Sequence, residues 1–263
     1  MSRDLDALCR DASIIHLSRQ GTRFQSTSPP MPETLNIAVC ISNEVTLSDF
    51  ITPMEILSSI NVADHPILGP AMGDVPYRIK IDYLAPTMEP VVSTQGLNSP
   101  TLNPTLTYGE ALATGRQFDI LWVPAGPMGD YAPGLGQGCI PKEEIAFIAQ
   151  QARKAKYVMS VCAGAVQLAL AGVLAGKRAT TNKAFYRAIV AATPKDIEWV
   201  PQARWIVDGN VWTSSGVAAG SDMALAFAEH LGGAKVARHI RGIIEIPEVT
   251  DKDDPFAALH GLV

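Results

Sequence analysis

The side chain best suited to chemistry in this sequence is a cysteine at the end of an apolar strand. Residues 157–165 read YVMSVCAGA, so an apolar run ends at Cys162 and small residues then open a helix. A cysteine at such a strand-to-helix corner has the position of a nucleophile elbow. The partial positive charge and unpaired N–H groups of a helix N-terminus favour a thiolate. We therefore predict a nucleophilic Cys162 with a pKa below the usual value of about 8.5; the alternative is a buried structural cysteine.

The elements that must position this corner alternate between strands and helices. Strands are predicted at residues 36–41, 77–84, 89–93, 118–123, 157–161 and 178–181, with a hairpin at 204–214. Helices are predicted at residues 46–60, 141–156, 165–174, 184–192 and 219–231, and Pro53 is expected to bend the first or begin its regular part. This order predicts an α/β fold around a mostly parallel sheet. Residues 1–34 are expected to form a disordered arm, 35–247 one domain and 248–263 a tail.

Composition excludes several classes of protein. The chain has 263 residues, 47% of them apolar and 18% charged, with a formal net charge of −5. A sequence this apolar can bury a large core, and it has no apolar run of about 18 residues that would span a bilayer. The acidic balance and the lack of a basic stripe argue against nucleic acid. We expect a cytoplasmic protein with a small-molecule substrate and no nucleic-acid or membrane partner.

The other cysteines give no sign of a metal site or a disulfide framework. Cys9, Cys40 and Cys139 show no CxxC spacing with each other or with Cys162, which favours free thiols in a reducing compartment. No spacing of histidine, cysteine and carboxylate indicates zinc. The glycine-rich stretch 126–138 lacks phosphate-loop and dinucleotide patterns, so we interpret it as the rim of a site. We expect no metal and no cofactor.

Six segments together resemble a known family. They are residues 46–53 (TLSDFITP), 92–97 (VSTQGL), 119–126 (DILWVPAG), 160–165 (SVCAGA), 172–181 (GVLAGKRATT) and 214–222 (SSGVAAGSD). In this order they resemble the DJ-1/PfpI superfamily, over about residues 36–246. The resemblance implies a class I glutamine amidotransferase-like, flavodoxin-like fold, a doubly wound and mostly parallel sheet flanked by helices. Asp49, four residues before Pro53, makes the isonitrile hydratase branch the most similar.

The resemblance implies roles for particular residues. Cys162 would attack the terminal carbon of an isocyanide to give a thioimidate, which water opens to an N-substituted formamide. Asp49 would be the general acid and base; without the resemblance it would be interpreted as a helix cap or a solvated charge. The N–H groups near Gly126 and Ala163 match positions at which the family polarises a ligand atom.

Asn182 departs from the pattern of many relatives. They carry a histidine directly after a Thr-Thr pair like Thr180 and Thr181, whereas this chain has Asn182. Asparagine cannot act as a base, which argues against a Cys-His hydrolase. Asn182 would instead orient a ligand or water, or cap the helix after it.

Three functions remain open at this point. The first is a cysteine-dependent lyase that hydrates an isocyanide in secondary metabolism. The second is a DJ-1-type glyoxalase acting on reactive carbonyls. The third is a non-enzymatic redox sensor or ligand-binding protein. Regulatory relatives carry an added helix-turn-helix domain for which this length leaves no room, so we expect no regulator; the family pattern implies a homodimer.

Overall fold

A seven-stranded sheet forms the centre of the protein. The computed structural model describes residues 31–93, 99–132 and 138–263; most of the predicted arm, part of the VSTQGL segment and part of the glycine-rich rim lie outside these ranges. The strands are β1 (Glu33–Cys40), β2 (Tyr77–Ala85), β3 (Val91–Val92), β4 (Thr101–Leu102), β5 (Leu106–Thr107), β6 (Ile120–Val123), β7 (Tyr157–Ser160), β8 (Arg178–Ala179), β9 (Glu198–Trp199), β10 (Trp205–Asp208) and β11 (Val211–Ser214). The main sheet has the order β10-β11-β7-β6-β1-β2-β5, and β3–β4 and β8–β9 form separate pairs.

The main sheet is parallel except at one edge. The pair β10–β11 is the antiparallel hairpin predicted at residues 204–214, and β11 then pairs in parallel with β7. The inner strands are apolar on both faces because helices cover both faces of a parallel sheet. All four residues of β6, for example, are buried. The predicted doubly wound α/β fold is confirmed.

Helices cover the two faces of the sheet in separate groups. They are α1 (Ile51–Ser58), α2 (Gly69–Met72), α3 (Tyr108–Ala113), α4 (Lys142–Gln151), α5 (Gly164–Leu170), α6 (Tyr186–Ala192), α7 (Ala218–Gly232), α8 (Ala234–Ile244) and α9 (Phe256–Leu259). Helices α1, α7 and α8 bury their apolar residues in one core cluster, and α3, α4 and α5 bury most of theirs in a second. None of the helices in the described ranges has the length and apolar character needed to cross a membrane.

The structure differs from the sequence prediction at both ends of the domain. β1 begins at Glu33, which pairs with Tyr77, so the first strand includes the last residues assigned to the arm. Helix α8 was not predicted, because Gly232 and Gly233 indicate only where α7 ends. Gly233 has φ +83°, which suits glycine, and the chain turns there directly into α8.

The first predicted helix is divided into segments. A short 3₁₀ turn at Leu47–Asp49 precedes α1, and a second 3₁₀ segment at Ser59–Asp64 comes after it. Pro53 lies in the first turn of α1, where its missing N–H costs no helical hydrogen bond. Asp49 therefore projects from the turn before the helix.

Three loops meet where β6, β7 and β11 end. Because these strands are adjacent and parallel, their carboxyl ends lie side by side. Residues 124–126, 161–164 and 215–217 come directly after these ends. In open α/β sheets this edge is where ligands bind.

Candidate active site

Cys162 lies at the corner that the sequence predicts, in a strained backbone conformation. Its φ is +58°, a left-handed value that costs a non-glycine residue on the order of 1–3 kcal/mol. Two hydrogen bonds hold the peptide there: the Cys162 N–H donates to the Ser215 carbonyl over 3.0 Å, and the Thr181 hydroxyl donates to the Cys162 carbonyl over 2.7 Å. Cys162 is 8% exposed, so the thiol is nearly covered.

Gly164 allows the corner to pack closely against β6. A Cβ at Gly164 would lie 2.0 Å from the Val123 carbonyl oxygen, far inside van der Waals contact. The Val161 N–H donates to the same carbonyl over 3.0 Å. Glycine at position 164 is therefore required, because the loop after β7 packs directly on the end of β6.

Asp49 is a fully buried carboxyl group at the same edge. Its Oδ2 accepts a hydrogen bond from the Ala125 N–H over 3.0 Å, and its carbonyl accepts one from the Trp122 indole over 3.0 Å. Among the described residues, Oδ1 has no hydrogen bond of normal geometry and no exposure to solvent. Burial raises the pKa of Asp49 to about 7, although the N–H groups of Ala125 and Val217 oppose this rise. A carboxyl with this pKa can both accept and return a proton near neutral pH.

Asn182 contacts the sulfur directly. Its Nδ2 donates to the Cys162 sulfur over 3.2 Å. Its Oδ1 accepts hydrogen bonds from the N–H groups of Ala184 and Phe185, at 2.9 and 3.3 Å. The two interpretations of Asn182 made from the sequence are therefore compatible, since the oxygen caps the turn before α6 and the nitrogen faces the Cys162 sulfur.

Gly216 leaves the space that the Asn182 amide occupies. A Cβ at Gly216 would lie 2.6 Å from Asn182 Nδ2. Any other residue at this position would push the amide away from its place beside the sulfur.

Val217 links the thiol and the carboxyl group. Its φ is +37°, an unusual value for a β-branched residue, and it directly precedes α7. The Val217 N–H lowers the pKa of both Cys162 and Asp49, so it faces both groups. A single backbone amide thus interacts with both the proposed nucleophile and the proposed acid.

The low pKa expected for the Cys162 thiol is wrong. Burial raises the pKa of the Cys162 thiol, and the negative charge of Asp49 raises it further. Three donors oppose these effects, the N–H groups of Ala163 and Val217 and the side-chain amide of Asn182. The thiol is therefore protonated at rest and needs a base, and Asp49 is the ionisable group beside it.

The two backbone positions proposed for ligand binding differ in what the structure shows. The Ala163 N–H interacts with the Cys162 thiol, and its role in polarising a ligand atom stays a prediction. At the other position, the N–H that contacts the site belongs to Ala125, the residue before Gly126. It donates a hydrogen bond to Asp49. A Cβ at Gly126 would lie 3.1 Å from both Ser42 Oγ and Gln167 Nε2. The ligand-polarising role of Gly126 stays a prediction.

Sequence reasoning missed several residues that build the site. Ser215, Gly216 and Val217 come after β11, and Trp122 lies within β6. The sequence does carry a signal for Ser215, Gly216 and Val217, because a run of small residues follows β11. The carboxyl end of β11 lies beside that of β7. The strand order that brings the two ends together is a tertiary property.

The described ranges hold no group of three or more histidine, cysteine, aspartate or glutamate residues placed to bind a metal ion. Their cysteines, Cys40, Cys139 and Cys162, are free thiols. The groups described above at the candidate site are the Cys162 thiol, the Asp49 carboxyl group and the amides around them.

The fold and site define a class of protein, a doubly wound α/β domain with a cysteine at a strand-to-helix corner and a buried acid. The model of the DJ-1/PfpI family matches residues 35–230. The chain belongs to that family.

Individual relatives agree with this assignment. The chain is similar to an isonitrile hydratase from Pseudomonas putida, with 36% identity over 155 residues, 58% of this chain and 59% of the relative. It is also similar to the Parkinson disease protein 7 homolog of Danio rerio, with 31% identity over 124 residues, 47% of this chain and 61% of the relative. The matched regions thus span about three fifths of these relatives. A crystal structure of a ThiJ/PfpI family protein from Pseudomonas syringae superimposes with a TM-score of 0.61 at 25% identity, covering 94% of this chain and 93% of that one.

Proposed function

We propose that the protein is a cysteine-dependent hydro-lyase that adds water to an isocyanide and releases an N-substituted formamide. The observation that carries the proposal is the buried pair of Cys162 and Asp49, both facing the N–H of Val217. The similarity to an isonitrile hydratase supports the same reaction.

The first half of the reaction needs a proton to move from sulfur to carbon. The Cys162 sulfur attacks the terminal carbon of the isocyanide and forms a C–S bond. Asp49 accepts the thiol proton and returns it to that carbon, which gives a thioimidate, Cys–S–CH=N–R. A carboxyl group with a pKa of about 7 can accept and return a proton near neutral pH. Because burial raises the pKa of the thiol, its proton has to leave as the sulfur attacks the carbon rather than beforehand.

The second half uses the same carboxyl group for water. Asp49 removes a proton from water as its oxygen adds to the thioimidate carbon, and the proton passes to nitrogen. The C–S bond then breaks, the hydroxyl proton returns to sulfur, and the formamide leaves with an intact thiol. The Asn182 amide beside the sulfur stabilises the thiolate as it departs.

Burial of the thiol argues against a primary role as a redox sensor. Sensor cysteines are exposed and have a low pKa. Cys162 is 8% exposed, and burial together with Asp49 raises its pKa. A glyoxalase reaction would use the same thiol and acid, so the choice between the two enzymes rests on the substrate.

The proposal is tested by turnover of defined substrates. The full-length protein is incubated with alkyl and aryl isocyanides and, separately, with methylglyoxal. Formation of formamide, lost in Cys162→Ser and retained in Cys139→Ser, supports the hydratase. Formation of lactate without formamide would establish the glyoxalase instead, and absence of both products would refute both enzymes.

The wider setting that we propose is a cytoplasmic homodimer that hydrates isocyanides in secondary metabolism, where such compounds are made or detoxified. Sedimentation of the purified chain tests the dimer, with a single species at monomer mass as the contrary result. Accumulation of an isocyanide on disruption of the gene would test the metabolic role.

A further inference from the structure

The C-terminal tail forms one wall of a cavity next to the nucleophile. The cavity has a volume of about 310 Å³, which is within the range of small-ligand pockets. Its lining includes Asn182 and residues 215–217 together with Phe256 and His260 of the tail. Cys162 itself is not part of the lining, but Asn182 donates to its sulfur and Ser215 accepts from its N–H. The cavity therefore adjoins the reacting atom.

The tail is fastened on both sides of Phe256. Asp254 and Lys183 form an ion pair at 3.4 Å, and their side chains are 1% and 2% exposed. Asp254 also accepts a hydrogen bond from the Phe256 N–H over 3.0 Å. Beyond the phenyl ring, Arg187 donates to the carbonyls of His260 and Gly261. The wall is therefore fixed in place.

The charges around the cavity are already engaged. The Lys183 ammonium binds Asp254, the Thr180 hydroxyl and the Ala203 carbonyl. The Arg204 guanidinium is paired with Asp222. Because both cations that line the cavity have carboxylate partners, the cavity does not favour an anionic ligand.

Phe256 instead offers an unburied apolar surface. It is 48% exposed although it faces the cavity, and its neighbours there include Val217, Ala184 and Ala219. Covering such a ring with an apolar group is favourable by about 25 cal/mol per Å² removed from water. Phe256 and His260 lie beyond residue 230, where the family match ends.

We infer that Phe256 and the tail around it bind the substituent of the substrate. This substituent is an uncharged aryl or cyclic alkyl group bonded to the nitrogen of the reacting isocyanide. The inference deepens the proposed function. It rests on that function only for the identity of the reacting group, the isocyanide. It assigns Phe256 as a specificity-determining residue. His260 completes the wall.

Two readouts on the full-length protein test this inference. The first is the rate of Cys162 alkylation by N-phenyl iodoacetamide relative to iodoacetamide, monitored by peptide mass spectrometry. The second is the ratio of kcat/KM for phenyl and methyl isocyanide. Phe256→Ala is expected to lower both aryl-to-small ratios roughly tenfold. The matched control is Leu259→Ala, on the same short helix, since Leu259 is 72% exposed and does not line the cavity; both ratios should stay as in the wild type.

A second variant covers the case in which Phe256→Ala perturbs the tail. Ala184→Phe adds a ring at another lining residue of the cavity and should also lower the aryl-to-small ratios, with thermal melting used to confirm the fold. Ratios within twofold of wild type in both variants would overturn the inference. If the wild type turns over no isocyanide but the alkylation ratio still falls, the proposed function fails and the binding wall stands. If the wild type turns over isocyanide but both ratios are unchanged in the variants, the proposed function stands and the binding wall is refuted.

Discussion

The side-chain nitrogen of Asn182 lies 3.2 Å from the sulfur of Cys162 while the oxygen of the same amide caps the turn before α6. An amide held at one end in this way keeps its donor pointed at the sulfur. It stabilises negative charge on the sulfur but cannot remove the thiol proton. In the proposed mechanism Asp49 therefore moves the proton.

Replacing Asn182 should slow the chemistry without unfolding the protein. A hydrogen bond to a charged group contributes about 1.5–3 kcal/mol, so Asn182→Ala is expected to lower kcat by about 10- to 100-fold. Asn182→Asp keeps the capping oxygen but places a second carboxylate beside the sulfur, so kcat should fall further and iodoacetamide should alkylate Cys162 more slowly. Steady-state kinetics and alkylation rates measure both effects.

Gly216→Ala tests the same contact from the other side. The new Cβ would displace Asn182 Nδ2, which lies 2.6 Å from its position. We expect a loss of kcat similar to that of Asn182→Ala, and little further loss in the double variant. Independent, additive losses would show that Gly216 does not act through Asn182.

Asp49→Asn should lower turnover by about 10²-fold or more, because it removes the group that accepts and returns the proton. Cys162→Ser is the companion variant that lacks the thiol. A loss of less than threefold in Asp49→Asn, with normal melting behaviour, would reduce Asp49 to a structural acid.

The pH dependence of the wild type should track the Cys162–Asp49 pair. At low pH both groups are protonated, and the thiol then has no base. As pH rises through about 7, Asp49 loses its proton and the pair holds the single proton that the reaction moves. We expect kcat/KM to rise with a midpoint near pH 7, and this rise to be absent from the residual activity of Asp49→Asn. A profile that falls through pH 7 would contradict this protonation scheme.

Glu144 provides a prediction about stability. Burial raises its pKa from 4.5 to about 7 in the folded protein. The folded state therefore binds the proton more tightly than the unfolded state, and its contribution to stability is present below about pH 4.5 and lost as pH rises through about 7. Between pH 5 and 8 the free energy of unfolding of the wild type should fall by roughly 3 kcal/mol more than that of Glu144→Gln. Urea denaturation across this range measures the difference.

The matched control for this experiment is Glu143→Gln. Glu143 precedes Glu144 in α4 but is exposed, so its replacement should leave the pH dependence of unfolding as in the wild type. Equal pH dependence in Glu144→Gln and the wild type would show that Glu144 is not buried as a neutral acid.

The sequence alone was sufficient for the fold class, the order of the main elements and the corner at Cys162. These features depend on local patterns, namely apolar runs flanked by turn residues and small residues after a strand. Helix α8 was missed because a glycine stop after α7 marks the end of one helix and carries no signal for the start of another. The place of Asp49 was inferred through family resemblance, since an acid in a helical turn has no local mark of catalysis.

Only the tertiary structure decided the state of the thiol and the shape of the site. The helix N-terminus alone suggested a lowered pKa for Cys162, whereas burial and Asp49 raise it. The amide of Val217, the double contact of Asn182 and the wall formed by Phe256 join segments that are distant in the chain. Electrostatic and packing energies depend on distances in space, and these are set by the strand order and the path of the tail rather than by neighbours in the sequence.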